Sequence, residues 1–271
     1  MKTTLNKLFS LPLLAMLGAS SGFVASSASA AALFADNFDR ADNDNLNAVA
    51  TGKSGSLGAL NWLEKDSGGG GRTLSNQLQL GEAGAGGGWA LAYLDHNFTD
   101  TAIATSGSFS VSVDILNSDT AGSTRYAGIA VGGSVTDYSG WTDNNPANQN
   151  IDFYIGYDGS GTEQFRIWEN GTLTTITALS FVEPDTLRVD FTNVTDFNAG
   201  TTINYAVFNN GISIASGNFD WGGTDENYLG LFSNWTDGGV EMDNFSVVPE
   251  PSSAALLLGL GSIALVLRRR K

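Results

Sequence analysis

Residues 31–248 are predicted to fold as one all-β, two-sheet antiparallel sandwich. Three observations predict it: short runs in which apolar and polar residues alternate, turn dipeptides between those runs, and no long 3.6-residue apolar stripe in the body. The alternation is clearest in Phe109-Ser110-Val111-Ser112-Val113-Asp114-Ile115, where every odd position is apolar. Leu187-Arg188-Val189-Asp190-Phe191 and Ile203-Asn204-Tyr205-Ala206-Val207 follow the same rule, and Tyr126–Val131 and Ile151–Tyr157 are further candidate strands. A period of two buries one face of a strand and wets the other.

Turn chemistry agrees with this reading. Asp158-Gly159, Asn170-Gly171 and Asn210-Gly211 each stand between strand-like runs, and such pairs tolerate the positive φ of a tight hairpin. Gly68–Gly71 and Gly84–Gly88 read as surface loops. They do not read as a phosphate cradle, because no Lys-Ser/Thr follows and no helix begins there. In Val240–Val247 the apolar phase shifts between Met242 and Phe245, which predicts a bulge at Asp243-Asn244. No repeat of fixed period is visible, so a propeller or solenoid is not expected.

Both ends of the chain read as addresses. Lys2 and Lys7 precede the apolar run Leu8–Leu17, and a small-residue stretch ends in Ala28-Ser29-Ala30. This is the pattern of a secretory signal peptide over residues 1–30; the alternative is an uncleaved N-terminal anchor, for which the run is short. At the other end, residues 249–271 read Pro249-Glu250-Pro251, Ser252-Ser253, the apolar run Ala254–Leu267 and Arg268-Arg269-Arg270-Lys271. As a helix the apolar run would span roughly 21 Å against a hydrocarbon core of about 30 Å, so it is a marginal transmembrane segment. The basic cluster is expected to stay cytoplasmic, leaving the body outside.

Composition removes several function classes. Of the 13 basic residues only Arg40, Lys53, Lys65, Arg72, Arg125, Arg166 and Arg188 fall within 31–248, against all the acidic residues but Glu250, for a net charge of −20. Such a surface repels phosphate backbones, so nucleic acid is not an expected partner. The absence of cysteine excludes thiol nucleophiles and thiolate metal sites, and the single histidine, His96, argues against a zinc site built on histidines. A Ser-His-Asp triad would have to use His96 with Asp95, and neighbours in a strand face opposite ways. No catalytic residue is assigned, and the protein is read as a non-enzyme.

The tail resembles the PEP-CTERM sorting signal of Gram-negative bacteria, with Pro249, Glu250 and Pro251, the apolar segment, and Arg268, Arg269 and Arg270 in the same order and spacing. That resemblance implies recognition by an exosortase, a membrane transpeptidase, and an exported protein of the cell surface, outer envelope or matrix, anchored for a time in the membrane and associated with exopolysaccharide and biofilm. An ordinary tail anchor is the alternative. The body resembles the concanavalin A-like, LamG-like jelly rolls through Asp36-Asn37-Phe38, Tyr126-Ala127-Gly128-Ile129-Ala130-Val131, Asn210-Gly211, Tyr228-Leu229-Gly230-Leu231-Phe232 and Met242-Asp243-Asn244-Phe245-Ser246-Val247. The resemblance implies that first and last strands pair. It also implies a structural calcium ion near Asp36 and Asp243, against the alternative of ordinary loop carboxylates. Laminarinase-like members use Glu-x-Asp-x-x-Glu; here Glu241-Met242-Asp243-Asn244-Phe245-Ser246 lacks the second glutamate.

Aromatic side chains suggest what such a body would bind. Sugar rings stack on exposed indoles and phenols while amides and carboxylates take their hydroxyls. Thr136–Asn145 is the best candidate stretch, with Tyr138, Trp141 and Asn144, and Trp221 and Trp235 fall at expected loop positions. The competing reading is that most of the six tryptophans cap the core, Trp62 and Trp168 above all. The expected role is binding or scaffolding of extracellular polysaccharide. The alternatives are a glycan-active hydrolase and a structural matrix protein with no discrete ligand.

Overall fold

The computed structural model describes residues 31–66, 71–81, 86–98, 103, 106–117, 124–133, 151–169, 172–177, 183–222, 228–237 and 239–250. Within them run sixteen strands. In chain order the first eight are β1 (Phe34–Asp36), β2 (Lys53–Ser54), β3 (Trp62–Asp66), β4 (Gly71–Leu74), β5 (Gln77–Leu80), β6 (Gly86–Leu94), β7 (Ser108–Asn117) and β8 (Arg125–Gly133). The other eight are β9 (Ile151–Tyr157), β10 (Glu163–Glu169), β11 (Thr172–Thr177), β12 (Asp185–Thr192), β13 (Thr202–Asn209), β14 (Ile212–Asp220), β15 (Tyr228–Asp237) and β16 (Val240–Pro249).

They form the two antiparallel sheets that the alternation predicts. The first has the order β14-β13-β12-β7-β16-β1-β2, with β5 and then β4 added beside β16. The second has the order β11-β10-β9-β8-β15-β6-β3. First and last strands pair as expected, Phe34 opposite Val247 and Asp36 opposite Phe245. The expected bulge is present: the β16–β7 register breaks between Asp243 and Ser246, and Asn244 has φ +50°. Asparagine tolerates that left-handed conformation better than most residues. Asn210 and Gly211 both have positive φ, 49° and 77°, as a two-residue hairpin between β13 and β14 requires.

The core lies between the sheets. Val111, Val113, Leu187, Val189 and Phe191 come from the first sheet and Ile129, Phe153, Ile155 and Phe165 from the second, each buried. Phe153 meets Phe191 across the gap edge-on at 5.9 Å. One end of the core is closed around a charge pair. Asp36 and Arg40 are both buried, with Arg40 Nη1 2.7 Å and Nη2 3.1 Å from the two carboxylate oxygens. Trp62 Nε1–H donates to Asp36 Oδ2 at 2.8 Å, and the Phe38 amide donates to Oδ1 at 2.9 Å.

Three loop expectations are corrected at their described residues. Gly71 opens β4, and Gly86–Gly88 open β6. The Gly71 site is a packed one: a Cβ there would lie 2.8 Å from Leu46 Cδ1. Asn234 and Trp235, expected in a loop, lie inside β15 opposite Trp89 and Gly88.

Candidate functional site

The strands of the second sheet carry large apolar groups on both faces. Inward residues fill the core. Outward residues form a second buried cluster of Leu91, Tyr93, Tyr126, Ala130, Tyr154, Trp168 and Phe232. An antiparallel sheet with one wet face shows polar residues there, so this face is not built for bulk water. Register sets its layout in rows. Trp168, Asp152, Ala130, Gly230, Tyr93 and Leu63 stand opposite one another on β10, β9, β8, β15, β6 and β3. The next row is Arg166, Tyr154, Gly128, Phe232 and Leu91, and the third is Gln164, Gly156, Tyr126, Asn234 and Trp89.

Glycines make room for the rings. A Cβ on Gly230 would come within 2.6 Å of Tyr93 Cδ1, so the Tyr93 ring lies against bare backbone of the adjacent strand. On Gly128 a Cβ would fall 2.7 Å from Tyr154 Cβ and 1.9 Å from the Phe153 carbonyl oxygen. The rings then meet edge to face, Tyr126 with Tyr154 at 5.6 Å and Tyr154 with Phe232 at 5.4 Å, the geometry aromatic quadrupoles favour.

A polar network crosses this apolar floor. The Arg166 guanidinium sits 4.1 Å from the Tyr126 ring centroid, a cation–π contact. Gln164 Oε1 accepts from Tyr126 Oη–H at 3.1 Å and Arg166 Nε–H at 2.9 Å, while Gln164 Nε2–H donates to Asp158 Oδ2 at 2.8 Å. Burial pushes the Tyr126 phenol up to about 12, with Arg166 opposing. The Tyr154 phenol is raised as well, chiefly by burial and then by the nearby Asp152. Trp168, only 8% exposed, has its Nε1–H buried without an acceptor. A buried donor of that kind is uncommon in a finished core and marks a position where an acceptor would be gained.

Asp152 is the one buried acidic group on this face among the described residues, 1% exposed. Burial pushes its carboxyl well above the usual carboxylate range. The folded state therefore holds a proton that the unfolded chain releases, and the stability linked to this group is complete in acid. It declines as pH climbs from the ordinary carboxylate range through the raised folded value. Asp152→Asn is expected to flatten that decline and to raise the neutral-pH melting temperature. Melting curves from about pH 4 to pH 8 check this, and a variant whose pH profile overlays the parent's would contradict it.

The expected site residues are distributed unevenly. Tyr138, Trp141 and Asn144 lie outside the described residues, as do Pro251, Arg268, Arg269 and Arg270 and the expected membrane segment. Trp235 has a described backbone on β15 only. Trp221 is corrected: it does follow a strand, but its indole is 2% exposed and packs on Phe197 at 4.9 Å and Phe219 at 5.9 Å, so it caps the core and offers no face to a sugar. Of the tryptophans expected in the core, Trp62 is there and Trp168 is buried in the outer cluster.

The metal expectation meets a misfit. Asp36 is fully committed to Arg40, Trp62 and the Phe38 amide, and a calcium ion there would have to displace a guanidinium. Asp243 Oδ1 accepts from the Asn244 amide at 2.8 Å, and burial raises its carboxyl, with Asp114, Asp36 and Asp39 adding to the effect. Asp114, opposite Asp243, already takes Thr186 Oγ1–H at 2.6 Å and Asn244 Nδ2–H at 2.9 Å. Among the described residues no three His, Cys, Asp or Glu side chains converge as a metal set.

Comparison with known proteins adds two findings. The carbohydrate recognition domain of Emp47p superposes with a TM-score of 0.52 over 83% of this chain and 99% of that one, at 10% identity. A legume lectin-like domain from Entamoeba histolytica gives a TM-score of 0.46 over 70% of this chain and 90% of that one, at 9% identity. Comparison with curated proteins finds no match. The fold is thus the concanavalin A-like jelly-roll sandwich that the sequence predicts. Residues 247–271 match the PEP-CTERM protein-sorting motif, so the chain is an exported protein whose C-terminus carries that sorting signal. The motif starts inside the folded body: β16 runs to Pro249, and the Glu250 amide donates to the Ser108 carbonyl at 3.0 Å.

The outer face of the second sheet was not foreseen from the sequence. Its signal was present in runs apolar at both parities: Trp89-Ala90-Leu91-Ala92-Tyr93-Leu94, Tyr126-Ala127-Gly128-Ile129-Ala130-Val131 and Tyr228-Leu229-Gly230-Leu231-Phe232.

Proposed function

We propose that this exported protein binds a polysaccharide chain across the outer face of its second sheet, and that the sorting signal delivers that face to the cell surface or matrix. The observation that carries the reading is a sheet face floored with aromatic rings and crossed by hydrogen-bonding groups. The deep rings set a rigid floor. Among the described residues Leu63, Trp89, Tyr228, Arg166 and Asn234 have open surface on that face, and they supply an apolar contact, stacking faces, a cation and an amide. The connection carrying Tyr138, Trp141 and Asn144 leaves after Gly133 and returns at Ile151, both on strands of this face, and these three residues are proposed to complete the site. A neutral or cationic glycan is favoured over a polyanionic one by the body's net charge of −20. An exosortase-type transpeptidase is the proposed processing partner, and the outer envelope or matrix of a Gram-negative bacterium the proposed destination. A structural calcium at Asp36 and Asp243 is not part of the proposal, because Asp36 holds Arg40.

Hydrolysis is not favoured. Glu241-Met242-Asp243, the nearest approach to a glucanase string, lies on β16 in the first sheet, away from the aromatic face. In a pull-down on insoluble polysaccharides, Trp89→Ala and Trp141→Ala are each expected to weaken binding at least about tenfold, or ~1.4 kcal/mol. Wild-type retention by any of the glycans, undiminished in both variants, would sink the assignment to this face.

A further inference from the structure

We infer, on the reading of Ala254–Leu267 as the membrane-entering part of the sorting signal, that the uncut protein stands end-on at the bilayer, with the rim of the sandwich around Ser108 and Glu250 against the lipid headgroups. The body has almost no free linker. β16 stays paired through Pro249, opposite Phe109, and the Glu250 amide donates to the Ser108 carbonyl at 3.0 Å. Only Pro251, Ser252 and Ser253 separate that residue from the apolar run.

Chain dimensions turn this into a distance. Fully extended, the steps from Glu250 to Ala254 reach at most about 14 Å. A bilayer of about 40–45 Å with a hydrocarbon core of about 30 Å has a headgroup layer of roughly 5–8 Å on each side. Glu250 therefore sits at most roughly 6–9 Å above the headgroups. The apolar run shortens the reach further. As a helix it spans roughly 21 Å of that core, and a segment too short for the core draws its flanking residues inward. Direction is set as well. Glu250 precedes Pro251, which restricts it to extended backbone, so the chain leaves along the line of β16.

The rim that meets the membrane follows from pairing. Ser108 stands opposite Thr192, and 193–201 cross from the end of β12 to the start of β13. Gly200 N–H donates to the Trp221 carbonyl at 2.8 Å, and Thr202 stands opposite Asp220. Asn193, Thr195, Asn198, Ala199 and Gly200 are exposed there. Residues 192–202 hold no Lys or Arg, so this rim has no cation to seek anionic lipid, and its amides and hydroxyls suit zwitterionic headgroups. The strands of both sheets then point away from the bilayer, because packed sheets keep their strand directions within about 30°. The rows of the aromatic face cross those strands, so a polysaccharide held along them runs along the membrane surface.

The test uses the full-length chain in phosphatidylcholine vesicles that contain a headgroup-nitroxide lipid as quencher. The chain has no cysteine, so Ala199→Cys, Ser216→Cys and Ile212→Cys, all at exposed positions, each take one fluorophore. Ala199 marks the rim, Ser216 the first sheet, and Ile212 the opposite end of the sandwich. Quenching of the Ala199 label is expected to exceed that of the Ile212 label at least about threefold, since the length of β13, roughly 23 Å, separates them. The Ser216 label is expected to fall between. Twenty Gly and Ser residues inserted after Glu250, a coil of about 25 Å, are expected to erase the contrast. A chain that does not float with the vesicles would overturn the inference at the anchor. Ser216 or Ile212 labels quenched as strongly as Ala199, or a contrast unchanged by the insertion, would overturn it at the geometry. No readout involves glycan, so failure here is distinct from failure of the binding assay.

Discussion

Arg40→Ala is expected to destabilise the protein by ~3–5 kcal/mol, the usual cost of stranding one member of a buried ion pair. The cause is local and complete. Asp36 has no exposed surface, and its oxygens take two bonds from Arg40, one from Trp62 and one from the Phe38 amide. Arg40 in turn donates to the carbonyls of Thr51 at 3.1 Å and Leu46 at 3.3 Å and lies 5.2 Å from the Phe38 ring centroid. Removing the guanidinium leaves a carboxylate that water cannot reach and frees a loop that it ties to β1. The double variant Asp36→Ala/Arg40→Ala is expected to lose less than the sum of the single losses, because the stranded charge is gone. Urea titrations with unchanged slope measure both. A single-variant loss under about 1 kcal/mol would show that the pair is not the closure of this end of the core.

Trp221→Ala is expected to cost ~3–5 kcal/mol of stability, the range for truncating a large core aromatic, with glycan retention unchanged once the variant is folded. Its indole is wedged between Phe197 and Phe219, and its backbone is tied at both groups. Its N–H donates to the Thr201 carbonyl at 2.9 Å, and its C=O accepts from Gly200 at 2.8 Å. Its Nε1 has no acceptor. Trp221→Phe therefore keeps most of the packing and removes a buried unsatisfied donor, so it is expected to be much milder than alanine. Thermal denaturation of the two variants checks the ranking. A Trp221→Ala protein as stable as the parent but defective in glycan retention would return Trp221 to the binding surface.

These two sites also show how far sequence reasoning reaches. Alternation in Phe109–Ile115 and Leu187–Phe191 was enough to find β7 and β12 and their buried faces, because period two maps directly onto a half-wet strand. The phase shift between Met242 and Phe245 located the bulge. Partner choice was harder. Asp36 and Arg40 are four residues apart outside any helix, and spacing alone does not place a guanidinium on a carboxylate there. The Gly222-Gly223 neighbours of Trp221 signal a chain that leaves a strand, but not which way the indole turns. The aromatic face escaped for a different reason. Tyr93, Tyr126, Tyr154, Trp168 and Phe232 come from five strands, and only the sheet order β10-β9-β8-β15-β6 brings them together. β6, β8 and β15 alone each say just that both of their faces are apolar, and β9 and β10 say less.

Hydrogen exchange read by mass spectrometry, with and without a retained polysaccharide, tests the binding face most directly. Protection is expected in peptides covering 86–94, 125–133, 151–169 and 228–237, the strands that build the aromatic floor. Protection confined to 108–117, 185–192 and 202–220 would place the ligand on the opposite sheet and contradict the proposed site.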